Sequence, residues 1–283
     1  MFAPIFDVRV YVSCAAMSCS NELVKKLQNL KSFRIHTGNI NNFAELKLKR
    51  FKNSAEELSA CLDLQFKKLD HTIEVGPKGT VLLSKCLQDV NYDRDDLKIS
   101  LKVFLTGFEF AQITSAIDAT LDQLKTGNIE QIIVSFPECD GDSDTADEKW
   151  MEGVVGLWKK IEELVNSGKV VSAGVADLQL NHLEKLYNAA DVKPCVNHFN
   201  IEGCCVVPPE LQAYAREHDI QLLTHNDPSP FPFKEVFAKV CEHRCDVQPC
   251  GFSPVWAARY TVWVQRRSIM ASKGYILQFD AQK

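Results

Sequence analysis

No part of this 283-residue chain runs without charge for more than twelve residues, the two longest such runs being 10–21 and 247–258. A helix crossing a bilayer needs about 20 apolar residues, so none is expected. The chain also lacks a basic excess: 32 Lys and Arg face 37 Asp and Glu, a net charge of -5. Nucleic acid is thereby excluded as the main partner, because its phosphates call for a cationic face. With only 13 Gly and 11 Pro, collagenous and low-complexity readings fall away too. No P-loop, H-E-x-x-H or H-x-x-x-H occurs, and no strand runs into G-x-G-x-x-G. Asp7 and Arg9 cancel ahead of the apolar segment 10–17, so the cationic start of a secretory signal is missing.

Cysteine, by contrast, is plentiful. Eleven is an odd number in a chain too long for a small disulfide scaffold, which points to free thiols and a cytoplasmic setting.

The clearest architecture lies between 145 and 224. Thr145-Ala146-Asp147-Glu148 has the form of a capping box. Behind it Met151, Val154, Leu157, Trp158, Ile161 and Leu164 recur at helical spacing. Ser167-Gly168 ends that helix, and 170–176 reads as a buried parallel strand. The cycle repeats with a helix around 180–187, a strand at 194–201, a helix from Pro208-Pro209 and a strand at 220–224. Upstream, strands are expected at 33–37, 80–84, 97–105 and 131–136, and helices at 21–30, 54–69 and 111–125. Downstream, 255–266 reads as a helix and 268–272 as the eighth strand. Eight strands in about 250 residues is the count of a (β/α)8 TIM barrel. Residues 1–32 are then a short N-terminal extension, and 33–283 a single barrel domain with a C-terminal tail.

A barrel carries its chemistry at the C-terminal ends of its strands. Those ends offer Lys102, Ser135, Asp177, His198, Asn200 and the run 224–228, a set that defines no reaction by itself. The acidic loop 140–144 departs from a calcium loop at its sixth and twelfth positions, Thr145 and Met151. It reads better as carboxylates feeding a helix start. Cys241, His243, Cys245 and Cys250 match no zinc spacing, so no metal is expected.

Trp158 with Glu162, Gly168-Lys169-Val170, Gly174-Val175-Ala176-Asp177 and Val196-Asn197-His198 resemble the aldo-keto reductase pattern. Four further segments are similar to one non-catalytic branch of that superfamily, the regulatory subunits of glutamate–cysteine ligase. They are His36-Thr37-Gly38-Asn39, Cys204-Cys205-Val206-Val207-Pro208-Pro209, the run 219–228 and the run 272–278. The resemblance implies an aldo-keto reductase-like barrel without a reaction of its own. It would bind the ligase's catalytic subunit, improve its glutamate use and relax its feedback by glutathione.

Beside that resemblance, Lys102 and Ser135 are vestigial reductase positions, Ser135 standing where the reductase His is expected. No tyrosine lies between Tyr11 and Tyr92 to donate the proton. Where reductases hold the cofactor phosphate with Pro-Lys-Ser, this chain reads Met270-Ala271-Ser272, so NADPH is not expected as a cofactor. An active nicotinamide-dependent reductase is the alternative. Lys273, Tyr275, Ile276 and Leu277 lie beyond the eighth strand and are expected to form an apolar contact with the partner. Cys204 and Cys205, in a βα connection, are the redox candidates.

Overall fold

The computed structural model describes residues 19–69, 73–85, 92–139, 141, 143–201, 206–245 and 251–282. Helix α1 occupies 19–28 and leads into β1 (Ser32–His36). After the short α2 (Ala44–Lys47) come α3 (Ser54–Lys67) and β2 (Thr80–Leu82). The regular alternation follows: β3 (Leu97–Leu105), α4 (Phe110–Leu124), β4 (Ile129–Ser135), α5 (Asp144–Asn166), β5 (Val170–Ala176) and α6 (Leu180–Ala189). It continues with β6 (Val196–Asn200), α7 (Pro209–Glu217), β7 (Gln221–His225) and α8 (Phe233–Arg244). A long hairpin, β8 (Phe252–Val264) and β9 (Ile269–Ala281), ends the described chain.

The α/β barrel-like alternation expected from the sequence is present, and β3 to β7 pair in parallel in chain order. The expected start of α5 shifts. Its N-cap is Ser143, whose hydroxyl accepts from the Ala146 N–H, so the Thr145–Glu148 box is not the cap. Ser143 stands two residues ahead of Thr145, and its hydroxyl satisfies an orphan donor of the first turn.

The larger departure is at the end of the chain. Residues 255–266 read as a helix in the sequence, but 255–264 are strand and 265–266 enter a 3-10 turn. Trp256, Ala258, Tyr260, Val262 and Val264 alternate onto one buried face, with Arg259, Thr261 and Trp263 on the other. Period two wins over period 3.6 because β8 has a partner on each side, β3 and β9, both antiparallel. Strand β9 likewise runs well past the expected 268–272 and pairs with β8 and β1. The sheet order is β2-β1-β9-β8-β3-β4-β5-β6-β7.

Tyr275, Ile276 and Leu277, expected as an exposed contact for a partner, are therefore interior residues of a central strand, each fully buried. Lys273 is half-buried and its ammonium holds Glu57 at 2.6 Å. The surface reading fails because a strand with neighbours on both sides and helices above and below has no free face.

Two apolar cores flank the sheet. On one side α4 to α7 cover β3–β7 through Ile113, Ile117, Trp158, Ile161, Leu183 and Leu211. On the other, α1, α3 and α8 cover β1 and β9. There Phe33 stacks on Phe279 at 5.1 Å and meets Phe252 edge-on at 4.6 Å. Leu23, Val24 and Leu27 of α1 belong to this second core, so the described part of the expected 1–32 extension is built into the domain.

Two of the resembling segments meet here. Thr37 N–H donates to the Tyr275 carbonyl at 3.0 Å, and Tyr275 N–H to the Thr37 hydroxyl at 2.9 Å. Asn39 donates to the Ala271 carbonyl. Gly274 lies so close that a methyl there would overlap the Gly38 carbonyl oxygen and the Tyr260 hydroxyl. Gly274→Ala is expected to cost about 3 kcal/mol, the upper range for overpacking a site walled by backbone. A lowered urea midpoint at unchanged slope would show it; an unshifted midpoint would contradict the close approach.

Candidate functional site

The concave face of β3–β8, beside the N-terminal end of α3, encloses a cavity of about 550 Å³. Even-numbered β3 residues point into it, which is why Lys102 faces inward while Leu101 and Val103 enter the helix-side core. Lys102 is 4% exposed, and its ammonium lies 2.8 Å from Asp227 and 3.3 Å from the His225 ring. Arg259 of β8 clasps the same carboxylate with both terminal nitrogens, at 2.5 and 2.9 Å. Asp227 thus carries two cations in a nearly water-free place. Burial alone would raise its pKa; the charges of Arg259 and Lys102 overcome that and hold it well below the usual carboxylate range. Burial lowers the Lys102 pKa, with Asp227 opposing.

His225 locks the loop behind this pair. Its Nδ1 accepts from the Asp227 N–H at 3.0 Å, so the proton sits on Nε2, 3.0 Å from Asp177 and from the His198 carbonyl. Asp177 takes a left-handed backbone, φ 63°, and also accepts from the Asn200 N–H. Of the expected strand-end residues, the fold therefore brings Lys102, Asp177, His198, Asn200, His225 and Asp227 together. Ser135 ends β4 opposite Phe104 and does not line the cavity.

Arg259 and Glu57 were not anticipated. A signal for Arg259 was available: it is the only charged residue between 247 and 265, and a lone charge in an apolar stretch needs a buried partner. Glu57 left no such trace, since it looks like any acidic residue of a helix start. A phenol does approach the site, from the C-terminal hairpin. The Tyr275 hydroxyl donates to Glu57 at 2.6 Å, and burial raises its pKa further above its ordinary value. A reductase acid needs the opposite shift and a free proton path.

The cofactor position fits no better. Ser272 is fully buried, and Met270 and Ser272 are paired with Trp263 and Val262 in the hairpin. Cys241 and Cys245 are buried, and His243 turns away to Asp63 at 3.0 Å. Cys204, Cys205 and Cys250 lie outside the described residues.

The model of the Aldo/keto reductase family matches residues 80–226. The chain is 33% identical over 261 residues to the glutamate–cysteine ligase regulatory subunit of Mus musculus, covering 89% of this chain and 94% of that protein. The chain belongs to the glutamate–cysteine ligase regulatory subunit family, within the aldo/keto reductases. A putative regulatory subunit from Schizosaccharomyces pombe is 26% identical over 255 residues, covering 81% and 88%. Glyoxal reductase of Bacillus subtilis is 27% identical over only 129 residues, 46% and 42% of the two chains. The match to the broad reductase family thus stops at β7, where the βα repeat gives way to α8 and the hairpin, while regulatory-subunit likeness covers most of the chain.

Proposed function

We propose that this chain is a non-catalytic, cytoplasmic regulatory subunit that binds the catalytic subunit of glutamate–cysteine ligase as a heterodimer. It raises that subunit's activity through better glutamate use and weaker glutathione feedback. The observation that carries this reading is the 33% identity to the mouse regulatory subunit over 94% of its length. One feature of the site supports the absence of reductase chemistry: the phenol that approaches it, Tyr275, is tied to Glu57. Among the described residues no helix is long and apolar enough to cross a membrane, in keeping with this assignment.

Titrating the protein into purified catalytic subunit tests the reading. The apparent KM for glutamate is expected to fall as the heterodimer forms. Linkage then requires glutamate to tighten association by the same factor, about 5–150-fold or roughly 1–3 kcal/mol. Equal subunit affinity with and without saturating glutamate would defeat a coupled equilibrium. The alternative reductase reading, which the family match favours, predicts NADPH oxidation with an aldehyde that disappears in Lys102→Met; none is expected.

A further inference from the structure

Between α2 and α3 the chain runs against its own charge balance. Its net charge is -5, yet Lys47, Lys49, Arg50 and Lys52 put four cations into six consecutive positions, and no acid occurs from 46 to 53. All four are exposed. Lys49 has a carboxylate near it, that of Glu56 at 3.7 Å, a long surface contact that holds little. The acid just before the run, Glu45, is taken by Lys68 at 2.7 Å. Among the described residues Lys47, Arg50 and Lys52 form no ion pair. Leu48 stands among these cations and is 88% exposed, the most of any large apolar side chain described.

The loop is nevertheless fixed. Leu46 is buried ahead of it, and Phe51 turns back onto the cavity wall. Leu48 N–H donates to the Ala44 carbonyl at 3.3 Å, and Lys49 N–H to that of Leu46 at 3.2 Å. Lys52 N–H donates to the Glu56 carboxylate at 2.7 Å, and its carbonyl accepts from the Asn226 side chain. Lys47 to Arg50 therefore stand outward on a held backbone. Fixing a loop in advance reduces the entropy it loses when it docks.

We propose that 47–52 is a docking loop for an acidic surface segment of the ligase's catalytic subunit, Leu48 entering an apolar spot within that acidic frame. The inference rests on the pairing proposed above and adds where it takes place. Charge complementarity selects the partner: cations this dense draw an acidic surface into encounter, and an apolar side chain leaving water slows its release. A nucleic acid or a lipid surface calls for a wider basic face, and elsewhere in the chain acids outnumber bases.

The test follows association of the full chain with purified catalytic subunit at low and high ionic strength. In the unmodified chain, association is expected to slow steeply as salt is added. Lys47→Gln, Arg50→Gln and Lys52→Gln combined should slow it about tenfold or more at low salt and flatten the salt dependence. Leu48→Ser should instead speed dissociation about tenfold. Because these side chains are exposed, the melting temperature of each variant alone is expected to match that of the unmodified chain, which separates lost docking from misfolding. Should a variant fold poorly, the salt dependence of the unmodified chain still decides. Association that ignores salt, or a triple variant that associates as fast, overturns the docking assignment and leaves the pairing standing. No binding by the unmodified chain overturns both. Vesicles of equal parts phosphatidylserine and phosphatidylcholine that retain the unmodified chain and release the triple variant, with subunit association unaffected, would make the loop a membrane contact and overturn the assignment as well.

Discussion

Truncation after Ser272 is expected to abolish folding, leaving an insoluble or molten chain in place of a monomer that has lost only its partner. The deleted segment includes Tyr275, Ile276, Leu277 and Phe279, all essentially inaccessible to water. Burial of each large side chain contributes about 1.5–3 kcal/mol, so together they match the whole stability of an ordinary domain. The cut also removes the ladder partner of both β1 and β8, leaving two interior strand edges open. Circular dichroism and a urea melt of the truncated protein check this. A cooperative transition close to that of the full chain would show that β9 is dispensable.

Asp227→Asn is expected to destabilise the protein by about 3–5 kcal/mol, the usual consequence of leaving buried charge without its counter-ion. Lys102 and Arg259 would then face each other with no anion between them. Adding Lys102→Met should recover part of the loss, since one stranded cation is gone, and the double-mutant cycle measures the coupling. The same pair sets an acid limb. The folded-state pKa of Asp227 is depressed, so its stabilisation is complete above its unfolded value of about 3.9 and is lost as pH falls below it. Stability should therefore drop more steeply below about pH 4 in the wild-type chain than in Asp227→Asn. Parallel acid limbs would show that the pair does not govern acid unfolding.

Much of this molecule was legible in its residues. Strands 97–105 and 170–176 are found where short runs rich in β-branched and large apolar residues between turn signals put them, because such runs are a local feature of the sequence. Helix α5 announced itself by the apolar stripe Met151, Val154, Leu157, Trp158, Ile161 and Leu164, all buried. The cluster at the strand ends was partly visible as well, since Lys102, Asp177, His198 and the 224–228 run all stand where a barrel exposes chemistry.

Pairing was another matter. Residues 255–266 satisfy a helical stripe and a two-residue alternation alike, and only partners on both sides select the second. Tyr275, Ile276 and Leu277 look like a sticky tail to anyone counting strands. They become core once β9 is inserted between β1 and β8, a contact spanning more than two hundred residues of chain.

The sequence by itself determined the βα alternation and the family, because periodicity and motif are local properties. Tertiary structure alone decided that the sheet takes in an antiparallel hairpin, that Asp227 holds Lys102 and Arg259 at once, and that the Tyr275 hydroxyl donates a hydrogen bond to Glu57. Each of these joins residues far apart in the chain. The energy of burying a charge or a strand edge depends on what lies across from it, which no local pattern encodes.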